Sequence, residues 1–127
     1  MVDLSKFLPV YFEESEEKLV LLESGLHQFA AAEDAGVLEQ TIRAVHSIKG
    51  SSGTFGFDEV CELAWAIEDV LRHAANGQLT LEAGKIELCL EAANLLREAI
   101  GRHRDKEDLP IEVMQCLAGR LKAAVTV

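Results

Sequence analysis

Proline is nearly missing from this sequence, with two residues in 127, and glycine is held to nine. That usage excludes a collagen-like repeat and a linker-like polymer. Cysteine is scarce as well: Cys61, Cys89 and Cys116 are odd in number and contain no C-x-x-C pair. They read as reduced core residues of a cytosolic protein, not as a disulfide framework or a zinc site. No apolar run reaches the roughly 18 residues that a bilayer-spanning helix requires, so no membrane insertion is expected. Met1-Val2-Asp3 opens without a basic stretch leading into an apolar block, which predicts no secretory signal and a cytoplasmic location. Basic residues are outnumbered, 12 against 22 acidic, for a formal net charge of −10. Such a charge repels phosphate backbones and anionic membranes and argues against nucleic acid or lipid as partners. Runs of alternating β-branched residues bounded by turns are also lacking, so a sheet is not expected.

What the sequence does have is apolar residues, 49% of the total, enough to build one core without staples. They recur with a single period. Phe12, Leu19, Leu22, Leu26 and Phe29 mark one face of a first helix, with Pro9 either opening it or bending its first turn. A second helix follows Asp34 as N-cap, aligns Leu38, Ile42 and Val45, and runs to about Ser52. A third follows Asp58 as N-cap, carries Val60, Leu63, Ala64, Ile67, Leu71 and Ala74, and stops at Gly77. The fourth starts near Thr80 with Ile86, Cys89, Leu90, Ala93, Leu96 and Ile100, until the charged stretch Arg102 to Asp108 breaks the pattern. Pro110 fits the first position of a last helix with Ile111, Met114, Leu117, Leu121 and Val125. Short connections favour antiparallel neighbours. The expected architecture is all-α, an antiparallel up-down four-helix bundle with an additional C-terminal helix on one end or side, forming one domain over residues 1–127.

Residues 46–57, HSIKGSSGTFGF, depart from core logic. At about 100° per residue, His46 lies about 80° from Leu38, on the rim of the apolar stripe. Gly50 and Gly53 follow along the same surface line. Each glycine costs roughly 1 kcal/mol against alanine inside a helix, so the pair is a liability unless a bare surface is useful for another molecule's approach. Lys49 adds a mobile cation one turn from His46. On the third helix Glu68 lies about 80° from Val60, placed to face His46 across a groove, while Trp65 lies about 140° away and is a candidate partner anchor.

The segment resembles the histidine-phosphotransfer (HPt) signature: a histidine, lysine-glycine three and four residues later, and a further glycine at the seventh. The fuller string, with FEESEEKLVLLESGL before it, is most similar to the N-terminal phosphotransfer domain of chemotaxis histidine kinases of the CheA type. That resemblance implies a four-helix bundle with an appended helix and a histidine that carries a phosphoryl group. It assigns His46 as phosphoacceptor, Glu68 as the carboxylate that bonds the second ring nitrogen, and Lys49 as the cation beside the phosphoryl group. Many members have a second histidine where this chain has Trp65, a departure that points to altered partner choice. The partners implied are the ATP-binding domain of a histidine kinase and a response-regulator receiver domain with its Mg²⁺, the chain being the first domain of a longer kinase.

The chemistry fits these residue types. Phosphoryl transfer is mostly positioning and charge management, and the accepting imidazole must be neutral with an outward lone pair. Neither G-x-x-x-x-G-K-[ST] nor G-x-G-x-x-G occurs, so the chain reads as substrate and carrier without a cofactor or metal of its own. A di-metal carboxylate bundle needs Glu-x-x-His, but Ser24, Arg43, Val70 and Ile100 stand three before the four histidines. A non-phosphorylated helical adaptor docking through Trp65 and the apolar rim is the remaining rival. Glu68 has an alternative use too, an i,i+4 pair with Arg72. His27, His73 and His103 read as solvated, and Glu13 to Glu17 as a solvated helix face.

Overall fold

The computed structural model describes residues 3–126; Met1 and Val2, at the start of the stretch read for a leader, and Val127 lie outside the described residues. A single 3-10 turn, Ser5–Phe7, leads into α1 (Leu8–Ala32), followed by α2 (Ala35–Thr54), α3 (Asp58–Ala75), α4 (Ala83–Asp105) and α5 (Ile111–Val125). No strand occurs among the described residues. α1 packs on α2 and α4, and α3 on the same two, which closes the four-helix up-down bundle the periodicity predicts. α5 lies against the side of α3 and touches α4.

Local chemistry sets most helix ends. Pro9 sits in the first turn of α1, where its missing N–H costs nothing, the place of a proline that opens a helix. Asp34 caps α2 as expected, its carboxylate accepting from Gly36 N at 2.7 Å and Val37 N at 3.4 Å. Asp58 is a correction. Phe57 takes the N-cap position without a side-chain cap bond, and Asp58 and Glu59 fall inside the first turn of α3, where their charge meets the positive end of the helix dipole. α4 starts at Ala83, later than Thr80, and runs on to Asp105. The charged stretch ends it only midway: Arg102, His103 and Arg104 still occupy its last turn, where cations suit the negative dipole end, and Lys106 closes it in a left-handed conformation. Pro110 is the N-cap of α5, one position before the one expected. Gly77 adopts φ 75° after α3, which no other residue type does as cheaply, and its neighbour Gln78 N–H returns to His73 O at 2.9 Å.

The core runs the length of the bundle. Leu19, Leu22, Leu26, Val45, Ile48, Leu63, Ile67, Leu71, Leu96 and Leu121 are sealed from water, and truncating one of them to alanine costs about 2–5 kcal/mol. On α1 the sealed face reads Tyr11, Ser15, Leu19, Leu22, Gly25, Leu26; Phe12 and Phe29 are only half-buried. Tyr11 and Ser52 exchange a hydrogen bond at 2.8 Å, tying α1 to the end of α2. Gly25 is required by close approach: a Cβ there would lie 3.0 Å from Thr41 Cβ, inside the helix–helix seam. Of the cysteines only Cys89 is core, and burial pushes its thiol up to about 12; Cys61 is half-buried, and Cys116 is exposed because it falls off the α5 stripe. Ile111 is likewise exposed.

Candidate functional site

The short turn at residues 55–57 returns α3 antiparallel alongside α2, and this register sets His46 opposite Glu68. Glu68 belongs to the buried face of α3 and is only 4% exposed. A buried carboxylate needs partners, and this one has three. His46 Nδ1 lies 3.1 Å from Oε2 and 3.3 Å from Oε1. Lys49 donates to Oε1 at 3.0 Å and Arg72 Nε–H to Oε2 at 2.6 Å. Burial pushes the Glu68 carboxyl up, but the hydrogen bonds from Lys49, Arg72 and His46 outweigh it and hold the group below its ordinary value.

An ionised carboxylate can only accept. At neutral pH, then, the hydrogen on a neutral His46 ring belongs on Nδ1, and Nε2 keeps its lone pair. The His46 side chain is 56% exposed, so the ring is tethered at one nitrogen and reachable at the other. The arrangement combines a fixed tautomer, a nearby negative charge that strengthens the ring as a nucleophile, and an open approach.

The approach is bare on one side. A Cβ added at Gly50 would meet nothing within 4 Å, and one at Gly53 only Cys61 Sγ at 3.6 Å. Both glycines are exposed, as is Trp65 on α3, at 49% exposure. The structure thus brings His46, Lys49 and Glu68 into one cluster, with Gly50 and Gly53 bare on the same helix as His46. Lys49 is not a loose cation: its side chain is 22% exposed and its ammonium is committed to Glu68. The i,i+4 pairing of Glu68 with Arg72 and its bond to His46, alternatives in the sequence, coexist on the same carboxylate.

Two of the other histidines are less solvated than expected. His27 is exposed. His73 is half-buried, with Nδ1–H donating to Asp69 O at 2.8 Å. His103 is stacked on Phe57, ring centroids 3.9 Å apart and planes 18° from parallel, with Nε2 buried and unpartnered. It extends an aromatic cluster of Tyr11, Phe12, Phe55 and Phe57, of which only Phe12 belongs to an apolar stripe read from the sequence. No group of three or more His, Cys, Asp or Glu among the described residues is placed to hold a metal ion, and no helix among them is long and apolar enough to cross a membrane.

A family model described as the Hpt domain matches residues 6–106 of this chain. The chain belongs to the Hpt domain family. Its Hpt relatives include the chemotaxis protein CheA of Salmonella typhimurium, 33% identical over 108 residues, a match covering 84% of this chain and 16% of that protein. CheA of Rhizobium meliloti is 31% identical over 105 residues, covering 82% and 14%. The chain spans less than a fifth of the length of either relative. Among solved structures, the phosphorylated P1 domain of CheA3 in complex with CheY6 from R. sphaeroides has the same fold, with a TM-score of 0.85 at 23% identity, covering 94% of this Hpt chain and 95% of that one.

Proposed function

We propose that this Hpt domain is a phosphorelay carrier of chemotaxis-type two-component signalling, with His46 as the phosphoacceptor. The observation that carries the reading is the exposed imidazole held at Nδ1 by a buried, ionised Glu68. In the forward step the Nε2 lone pair attacks the terminal phosphorus of ATP held on a histidine kinase domain. The new N–P bond forms as the P–O bond to ADP breaks, and ADP leaves with the bonding pair. The ring becomes cationic, and Glu68, accepting from Nδ1–H, stabilises that charge. In the second step a receiver aspartate attacks the phosphorus, the N–P bond breaks, and Nε2 regains its lone pair. Nucleotide and Mg²⁺ belong to the partners, and this chain supplies positioning and charge. Lys49, beside the ring, offsets the charge of the arriving phosphoryl group as well as that of Glu68. Gly50, Gly53 and Trp65 form the surface on which the partner domains land.

Three further points belong to the same reading: residues 1–127 act as a single domain, that domain is the phosphotransfer module of a longer histidine kinase, and it works in the cytoplasm. The supporting relatives are both CheA proteins, and the solved Hpt neighbour is phosphorylated and bound to CheY6. The test is incubation with ATP and a histidine kinase catalytic domain, followed by phosphate analysis. The expected label is acid-labile and base-stable, and it disappears in His46→Gln. Label that survives in His46→Gln, or partner binding without any label, overturns the assignment, the latter in favour of the helical adaptor.

A further inference from the structure

The shortest polar contact at the site is not made by the histidine. Arg72 Nε–H reaches Glu68 Oε2 at 2.6 Å, and Oε2 is the oxygen nearer to His46 Nδ1. Lys49 takes the other oxygen. We propose that Arg72 is a positioning residue for phosphoryl transfer, acting through Glu68; the inference rests on the carrier reading above.

Two physical arguments support it. The first is direction. A glutamate reaches its carboxylate through three torsions, and the His46 bond to it is made by an exposed ring. The Lys49 ammonium is a point charge on a flexible stem with freely rotating donors, whereas the guanidinium presents its Nε–H in a fixed plane and so gives Oε2 a directed partner. Arg72 lies one turn along the same helix as Glu68, so it sets the carboxylate direction from within α3. The second is protonation. A protonated Glu68 would offer O–H to Nδ1, stabilise the tautomer with hydrogen on Nε2, and remove the reactive lone pair. Arg72 helps to keep the carboxyl ionised in spite of burial. Its side chain is 53% exposed and only Nε is engaged with Glu68, so its removal leaves no buried orphan on Arg72's side of the pair.

The test uses the intact chain with ¹⁵N-labelled histidine. Long-range ¹H–¹⁵N spectra at neutral pH report the His46 tautomer without any kinase, and the initial rate of labelling by ATP and kinase domain reports the reaction. In the native chain one tautomer, Nδ1–H, is expected. Arg72→Ala should give a tautomer mixture and slow labelling about 3- to 10-fold, in kcat and not in KM; Arg72→Lys should recover part of the loss. In a Glu68→Gln background, Arg72→Ala should cause no further loss, since the two act as one unit. An unchanged tautomer in Arg72→Ala, faster labelling, or losses that add to those of Glu68→Gln would overturn the proposal. A native chain that takes no label would defeat the carrier reading, while the tautomer measurement would still decide the role of Arg72.

Discussion

His46 and His103 are the same side chain at two seams of one bundle, and their surroundings are nearly opposite. His46 lies between α2 and α3 with one nitrogen on a buried anion and the other open to water. His103, near the end of α4, lies flat on Phe57 with Nε2 buried and bonded to nothing. Around His46 the protein concentrates charge: a carboxylate and two cations share a few ångströms, at the cost of desolvating Glu68. Around His103 it concentrates rings, and burial lowers the imidazole below its ordinary value, with the charge of Glu59 pulling weakly the other way. On the carrier reading, an anion behind it and space in front of it are what suit a histidine to accept a phosphoryl group. A histidine given an aromatic partner and no carboxylate bonded to it becomes packing. The contrast also explains why charge and bareness occur together at 46–53: the glycines leave the front open while Glu68 holds the back.

The largest effect that separates the two comes from swapping each ring for an amide. His46→Gln should abolish phosphate labelling, and His103→Gln should leave the labelling rate within about twofold, measured with ATP and a kinase domain. Loss of label in both would mean that the aromatic seam, too, serves the chemistry. The next effect comes from removing the anion. Glu68→Ala should slow labelling by about 10- to 100-fold, the loss typical when the carboxylate behind a metal-ligating histidine is removed, while the helical circular dichroism is retained. Glu68 also enters the acid stability profile. Its folded value is depressed, so it stabilises the bundle above the ordinary carboxylate range, and that contribution is lost as pH falls through the folded value. Glu68→Gln should flatten that acid limb in a series of thermal melts. A smaller effect, read on transfer to a receiver, is expected from filling the front. Gly50→Leu or Gly53→Leu should cut transfer to a receiver about tenfold by crowding its approach, with little loss of Tm, because nothing but Cys61 Sγ meets the added carbon. Transfer at the native rate in both variants would show that the bare surface is not a landing site.

How much of this was legible follows from what each signal depends on. Helix number and order depend on period alone, and Leu19, Leu22, Leu26, Leu63, Ile67 and Leu71 carried it without ambiguity. The seam of His46 and Glu68 was legible because a spacing of 22 residues across a short turn leaves few registers in which two rim residues meet. The aromatic end was not. Tyr11 and Ser15 look like surface on a polarity scale, and only the phase shared with Leu22 and Leu26 betrays that they are sealed. Ser52, its partner, lies 41 residues away. His103 sat in a stretch so charged that it read as a helix end, when the same charges were helping α4 to continue. Arg72 and His46 were set against each other as users of Glu68 because pairwise reasoning assigns one partner per group, although a carboxylate has two oxygens and room for several donors.

The smallest expected effect tests the quiet histidine by its proton. In the folded chain the His103 ring takes up a proton less readily than an ordinary imidazole. As pH falls through the ordinary histidine range, the unfolded chain therefore gains the proton first and folding stability declines, until pH passes the lower folded value and the decline ends. At neutral pH and above the group contributes nothing to this slope. His103→Phe keeps a flat ring on Phe57 and removes the titration. Its Tm relative to the native chain should be higher at pH 5 than at pH 7.5, by on the order of a degree or two. The labelling rate at neutral pH should not move. A Tm difference that is the same at both pH values would mean that the ring is as easily protonated in the fold as out of it, and that its stacking on Phe57 does not shield it; the two histidines would then differ only in what stands behind them, not in their access to water.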